Sequence, residues 1–214
     1  MIRRASLTPN THGTEASVPG NEDPVDDVAT MQKVVAEANR VIGGITPEQL
    51  GQSTPCADWD VRALLNHVTG GSDMFAEGVS QGAISDERVG ELLGTDRLGN
   101  DYQGAFAAAS QRALDAFETP GAAEKTVTLP FGTMPAGMAL NIAIFDVAVH
   151  SWDLAKATGQ STALDSEVLE PALAVGTAMI DDNMRSMGIF GPAVPVADDA
   201  PTQDRLAAFA GRQP

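Results

Sequence analysis

Apolar residues recur at intervals of three and four along much of the chain, which predicts a series of amphipathic α-helices. The first predicted helix runs from about Pro24 to Ile42 and is stopped by the pair Gly43-Gly44. A second follows Asp60, a residue type that suits the N-cap position of a helix. The third spans about Tyr102 to Phe117.

A fourth long helix is predicted to begin with Pro135 in its first turn and to end at Thr158-Gly159. Between Met138 and Val149 it is apolar nearly all round, interrupted only by Asn141 and Asp146. A helix that is apolar on every face is buried by its neighbours. We therefore expect this helix to lie at the centre of the core.

The rest of the chain predicts shorter elements. The polar stretch 81–101 is predicted to hold a helical turn or two at about 87–93, and residues 126–129 alternate as one short extended segment does. A fifth helix is predicted from an Asp165 cap to about Met187, and a short last helix over about 201–210. The pattern predicts an all-α fold: four long helices around one core, with short additional helices.

Composition divides the chain into two parts. Residues 1–23 are rich in Thr, Ser, Pro, Gly and acids without periodicity, which predicts a disordered N-terminal arm that includes a solvated His12. Residues 24–214 then form a single domain, a size that can bury one good core.

Charge and cysteine content narrow the classes of partner. The formal net charge is −16, with 13 basic residues scattered among 29 acidic ones. Nucleic acid and anionic membranes both require clustered Lys or Arg, so neither is an expected partner. No apolar run reaches the ~18 residues that a transmembrane helix needs. A single cysteine, Cys56, and the lack of a secretory signal at the start of the sequence favour the cytoplasm.

Two of the three histidines, His67 and His150, lie within apolar helical patterns. Asp146 precedes His150 by four residues and Asp153 follows it by three, so all three share one helical face. A buried charge must be paired or must bind a metal. Two imidazoles and one carboxylate from two helices would supply three metal ligands and leave open positions, as in catalytic sites. Asp153 would then hold the ligand imidazole in orientation.

These residues alone leave other interpretations open. Asp146 and His150 could form a simple ion pair, and His67 could be a hydrogen-bonded core residue. Gly70 and Gly71 next to His67 leave space either for a closely packed helix or, as we favour, for a ligand. Cys56 is a fourth ligand or redox thiol on one interpretation and a small buried hydrophobe in a loop on the other, which we prefer.

Three stretches of this sequence resemble a known family. They are TPCADWDVRALLNHV at 54–68, FDVAVHSWDLA at 145–155, and a C-terminal stretch from Phe190-Gly191-Pro192 to Gly211-Arg212. Together they resemble the signatures of the DinB/mycothiol-dependent maleylpyruvate isomerase superfamily, and most closely an actinobacterial branch of unassigned function. The resemblance runs from about residue 25 to the end of the chain.

The resemblance implies a DinB-like four-helix bundle that holds a divalent metal, with zinc the expected ion and nickel or iron as alternatives. It carries the ligand positions over to His67, Asp146 and His150. Better-known relatives have Glu at the carboxylate position, and Asp146 is one methylene shorter. The resemblance also implies a low-molecular-weight thiol, mycothiol in actinobacteria, as the cosubstrate.

The resulting hypothesis is a metal-dependent thiol S-transferase or isomerase, in which the thiolate attacks a small electrophilic molecule. No residue is assigned as a catalytic acid or base. The sequence also leaves open which residues bind the thiol, what the substrate is and what the oligomeric state is. The alternatives are hydrolysis by metal-bound water, a non-catalytic metal- or ligand-binding stress or sensor protein, and a metal-free helical interaction protein.

Overall fold

Four long helices form the body of the protein, and shorter elements connect and cover them. The computed structural model describes residues 24–57, 59–163, 166–186 and 190–214, so the predicted arm at 1–23 and the Asp165 cap lie outside the described residues. In chain order the elements are α1 (Pro24–Gly43), a 3-10 helix (Pro47–Gln49), α2 (Val61–Gln81), α3 (Asp86–Gly94), α4 (Tyr102–Glu118), β1 (Thr126–Leu129), β2 (Gly132–Pro135), α5 (Ala136–Ala157), α6 (Ser166–Met179), α7 (Asp182–Ser186) and α8 (Thr202–Phe209).

The bundle predicted from the sequence is confirmed. Helix α1 packs on α4 and α5, α2 packs on α4 and α5, and α6 and α8 cover α5 from the C-terminal side. One core connects these elements, and burial of its apolar side chains is the main force that stabilises the fold. The largest fully buried side chains include Trp152, Phe106, Met31, Ile42, Leu64 and Leu65.

Helix α5 is the central helix, as its uniform apolarity predicted. It contacts α1, α2, α6, α8 and both strands. Fifteen of its 22 residues are buried, among them the polar residues His150 and Asp153. A helix enclosed on this scale places any polar side chain it carries either in a paired interior site or at the edge of a pocket.

Side-chain caps explain where helices α2, α3 and α4 begin. Asp60 Oδ1 accepts a hydrogen bond from Ala63 N at 2.8 Å, which confirms it as the N-cap of α2. Asp101 caps α4 and Ser85 caps α3 in the same way. Helix α3 spans nine residues, longer than the one or two turns expected in this polar segment. No helix of the described residues is long and apolar enough to span a membrane.

The extended segment at 126–129 is half of a β-hairpin. Strand β1 pairs antiparallel with β2, with Val127 opposite Met134 and Leu129 opposite Gly132. The sequence did not predict β2, because Gly and Pro occupy its two ends and both are depleted in strands. Helix α5 consequently begins at Ala136, with Pro135 at the N-cap rather than in the first turn.

The helix predicted as far as Met187 ends earlier than expected. Helix α6 ends at Met179, and after a short break α7 begins at Asp182. Asp181 and Asp182 are adjacent at this break, and Asp is unfavourable inside a helix but favourable at its N-terminus. The Pro- and Gly-rich segment at 190–200 is irregular, and α8 matches the last predicted helix.

Candidate metal centre

Helices α2 and α5 bring the three predicted ligand residues together. His67 extends from α2, and Asp146 and His150 extend from α5, one turn apart. Asp146 Oδ1 lies 3.6 Å from His67 Nε2 and 3.4 Å from His150 Nε2. The two imidazole rings meet edge to face, with centroids 5.1 Å apart.

These separations suit a shared cation better than direct ion pairs. Charge-assisted N–H···O bonds are about 2.7–2.9 Å long, shorter than both N···O distances here. Two donor atoms on a tetrahedral zinc ion, each about 2.1 Å from the metal, lie about 3.4 Å from one another. One donor atom from each of the three residues falls within 4.8 Å of the others. The donor set of two imidazoles and one carboxylate therefore fits a divalent transition metal.

The centre is open to solvent on one side. The side chain of His150 is 9% exposed, whereas those of His67 and Asp146 are 26% and 28% exposed. The side chains of His67 and Asp146 are therefore partly in contact with solvent. The buried ring of His150 forms the floor.

Asp153 lies beneath His150, where the sequence predicted an orienting carboxylate. Its Oδ2 is 3.0 Å from His150 Nδ1, and its side chain has no exposed surface. Burial alone would raise the pKa of Asp153, but hydrogen bonds from His150 and Arg212 lower it below its ordinary value. Asp153 is therefore an ionised acceptor, so Nδ1 of His150 carries the proton. The Nε2 atom then faces the centre, as a ligand nitrogen must.

The charges of the centre stabilise each other. Burial opposes the ionised form of Asp146, yet the positive charge of His150 and polar contacts with both imidazoles lower the pKa of this carboxyl group well below its ordinary range. Burial also opposes a charged His150, but Asp146 and Asp153 together raise the pKa of His150 to about 9. Without a metal, His150 is thus protonated at neutral pH, and a metal ion must displace its Nε2 proton.

Trp59 forms a wall of the centre. Its ring stacks on His67 with centroids 4.4 Å apart and lies 6.0 Å from the ring of His150. Cys56, in the same loop, is half-buried, so the prediction of a buried small hydrophobe is only partly correct. Its sulfur lies within 4.8 Å of ligand atoms of His150 and Asp153. The three-residue cluster of His67, Asp146 and His150 does not include it. This placement does not support Cys56 as a fourth ligand.

The two glycines after His67 serve different purposes. A Cβ atom on Gly70 would lie 2.2 Å from the carbonyl oxygen of Leu92, so this position allows α3 to pack closely on α2. The interpretation that Gly70 makes room for a ligand is therefore wrong. A Cβ atom on Gly71 would find Asp146 Oδ2 at 3.9 Å as its nearest neighbour. Only Gly71 lies beside the centre.

Sequence reasoning missed two charged groups in the interior. Arg212, near the end of the chain, donates to both carboxylate oxygens of Asp153. Asp73 of α2 is buried and paired with Arg97 at 2.7 Å and Arg112 at 2.6 Å. Asp73 carried a possible signal, since it is a carboxylate within an apolar helical stretch. The only signal for Arg212 was its place in the C-terminal motif.

Comparisons with known proteins agree with the fold, and the matched part of the chain includes the candidate site. The family model described as the mycothiol maleylpyruvate isomerase N-terminal domain matches residues 31–155, which include His67, Asp146, His150 and Asp153. Two uncharacterised proteins from two strains of Mycobacterium tuberculosis are each 31% identical over 189 residues, which cover 88% of this chain and 98% of theirs.

Solved structures show the same fold at low sequence identity. A mycothiol-dependent maleylpyruvate isomerase superposes with a TM-score of 0.59 at 15% identity, over 83% of this chain and 77% of that one. A mutant of such an isomerase superposes over the same shares with a TM-score of 0.61. The DinB-like helical architecture expected from the sequence is therefore confirmed.

Proposed function

The chain belongs to the mycothiol maleylpyruvate isomerase N-terminal domain family, and we propose that it is a metal-dependent enzyme of the thiol S-transferase or isomerase kind. Its cosubstrate would be a low-molecular-weight thiol such as mycothiol, and its second substrate a small electrophilic molecule. The observation that carries the proposal is the donor set of His67, Asp146 and His150 at a solvent-accessible site of the bundle.

Three side chains would hold the metal in this proposal. The ligand atoms are Nε2 of His67, Nε2 of His150 and a carboxylate oxygen of Asp146, with the remaining positions open to an exogenous ligand. Zinc is the expected ion, and nickel or iron also accept imidazole and carboxylate ligands. When bound, the metal would supply the positive charge that removes the proton from a coordinated thiol.

The residues around the donor set would orient it and exclude water from one side. Asp153 accepts the Nδ1 proton of His150 and so keeps Nε2 directed toward the centre. Trp59 covers one face of His67 and restricts its rotation. The partly exposed edges of His67 and Asp146 leave the opposite side for the thiol and the electrophile. No side chain in the centre is assigned as a general acid or base.

Metal content tests the first half of this proposal. Purified protein, loaded with Zn²⁺, Ni²⁺ or Fe²⁺ and freed of excess ion, should retain about one equivalent of metal. His67→Ala and His150→Ala should each lose it, because two remaining ligands hold a divalent ion poorly. His12→Ala is the matched control, since it removes the one histidine that lies outside the described residues, and it should retain the metal. A wild-type protein that binds none of these ions contradicts the proposal.

Turnover tests the second half. The metal-loaded protein should accelerate consumption of a bimane-type electrophile in the presence of mycothiol, and His67→Ala should not. Acceleration of ester or amide hydrolysis without any thiol would indicate a hydrolase instead. Metal binding with neither activity across electrophile classes would indicate a non-catalytic metal-binding protein.

A further inference from the structure

The guanidinium group of Arg212 is anchored directly beneath the candidate centre. Its Nε donates to Asp153 Oδ1 at 3.1 Å and its Nη2 donates to Asp153 Oδ2 at 2.9 Å. Its Nη1 donates to the carbonyl of Ala210 at 2.7 Å, and Nη2 lies 3.7 Å from the sulfur of Cys56. The side chain is only 11% exposed.

This arrangement directs Arg212 toward Asp153 and away from a substrate. A guanidinium presents five N–H groups in a rigid fork, and here all three nitrogens already have acceptors within the protein. Two parallel bonds to one carboxylate hold both groups in a single orientation. Arg212 therefore fixes where the oxygens of Asp153 lie.

The backbone of the C-terminal segment delivers Arg212 to this position. After α8, Gly211 adopts a left-handed conformation with φ of +86°, and its Cα lies against the backbone of Gly191, where a Cβ atom would approach to 3.0 Å. Gly211 N and Arg212 N donate to the carbonyls of Ala208 and Ala207. The turn reverses the chain and points the arginine side chain into the bundle.

We propose that Arg212 is a positioning residue that sets the metal affinity of the centre through Asp153 and His150. The inference rests on the proposed metal function. Asp153 has no exposed surface, so water cannot replace Arg212 as a partner for its second oxygen without a rearrangement. Without Arg212, Asp153 loses the two bonds that fix its orientation, and the Nδ1 hydrogen bond that aims His150 Nε2 is no longer held in one place.

Substitutions at position 212 test this inference through metal binding rather than activity. Loss of a group that holds a ligand histidine typically costs 10- to 100-fold in metal affinity. We expect Arg212→Met to weaken Zn²⁺ binding by about 10- to 100-fold, measured by competition with a chromogenic chelator. The Zn²⁺ affinity of Arg212→Lys should lie between those of the wild type and Arg212→Met, because Lys keeps the charge but loses the two-pronged contact.

Two control variants separate positioning from general destabilisation. Arg205→Met removes another partly buried arginine of the C-terminal segment, which pairs with Glu170 instead of Asp153. Cys56→Ser removes the sulfur contact and leaves the bonds to Asp153 in place. Both should bind Zn²⁺ as the wild type does. The Co²⁺-loaded Arg212 variants should also show a changed visible absorption spectrum, which a loss of stability alone would not cause.

The possible results have distinct consequences. Arg212→Met that stays folded and binds Zn²⁺ with wild-type affinity contradicts the inference and leaves the proposed function intact. A wild-type protein without metal affinity overturns both. If Arg212→Met does not fold, Arg212→Lys serves as the test instead. Unchanged Zn²⁺ affinity and an unchanged Co²⁺ spectrum in that variant would also contradict the inference.

Discussion

Trp59 lies nearly parallel to the imidazole of His67, with the ring centroids 4.4 Å apart and the planes inclined by 29°. Trp59 immediately precedes the N-cap of α2, and His67 lies two turns into the same helix. The loop before α2 therefore constrains a candidate ligand on that helix. The contact between Trp59 and His67 therefore connects the conformation of this loop to the candidate metal centre.

Trp59→Leu should weaken metal binding without a large loss of stability. An aromatic pair of this kind is worth about 0.5–1.5 kcal/mol beyond its buried area, so the Zn²⁺ dissociation constant should rise about 2- to 10-fold. Trp59→Phe keeps a stacking ring and should preserve most of the affinity. Chelator competition measures the effect, and equal affinity in all three proteins would show that the stack does not restrain His67.

Gly70→Ala and Gly71→Ala should have opposite effects on the free energy of unfolding. The new methyl group at position 70 would clash with the carbonyl oxygen of Leu92, which is backbone and cannot move without shifting α3. We expect Gly70→Ala to lower the free energy of unfolding, measured by urea denaturation, by about 1–3 kcal/mol. At position 71 the methyl group has ordinary contacts, and the gain in helix propensity over Gly should stabilise the protein by up to about 1 kcal/mol. A loss of similar size in both variants would contradict this distinction.

Asp73→Ala should destabilise the protein and leave the metal centre intact. The substitution removes the shared partner of Arg97 and Arg112, and the carboxylate is 5% exposed. We expect the free energy of unfolding to fall by about 2–3 kcal/mol, which is below the usual cost of breaking a buried ion pair. The cost is reduced because the Arg112 side chain is half exposed and can turn to water. Arg112→Met keeps the pair with Arg97 and should cost less. Denaturation and metal content measure the two effects independently, and loss of metal in Asp73→Ala would contradict this separation.

The metal-free protein should lose stability as the pH rises from about 6.5 to about 9. Burial alone would lower the pKa of His150, but Asp146 and Asp153 raise it to about 9 in the folded state, against about 6.5 in the unfolded chain. The folded state therefore binds this proton more tightly. The contribution of this bound proton to the free energy of unfolding is complete below pH 6.5 and disappears as the pH rises through 9. The loss, at most about 3 kcal/mol, is measurable as a falling urea midpoint in chelator-treated protein.

Two comparisons check the origin of this pH dependence. His150→Gln cannot titrate at this position, so its urea midpoint should vary less between pH 6.5 and 9. In the presence of Zn²⁺ the trend should reverse, because the metal competes with protons for the imidazoles and binds more tightly as the pH rises. A midpoint of the metal-free wild type that is constant across this range would contradict the assignment to His150.

Periodicity was sufficient to predict the four long helices and the central position of α5, because burial in this fold follows the apolar stripes. It also placed Asp146, His150 and Asp153 on one face, since that relation depends only on helix geometry. The meeting of His67 with them is a tertiary contact between α2 and α5. Spacing alone could suggest this contact but not establish it, and the family resemblance made it specific.

Other features depend on contacts that the sequence does not display. Strand β2 consists partly of poor strand formers and exists because β1 pairs with it. The close approach of α3 to Gly70 requires the position of Leu92, 22 residues later in the chain. Arg212 follows a short helix and has no periodic pattern around it, so its pairing with Asp153 emerges only from the folded C-terminal segment.

The contacts of Arg212 also bear on how the protein folds. Its partners Asp153 and Cys56 are 59 and 156 residues away along the chain, so the ion pair closes a loop of 59 residues and the sulfur contact closes one that includes most of the domain. Contacts of such long range form only after much of the chain entropy has been lost, and they slow folding relative to local helix contacts. We expect helix α5 to form early and the candidate metal centre to form late, so the rate at which refolding protein acquires the proposed Zn²⁺ binding would follow docking of the C-terminal segment.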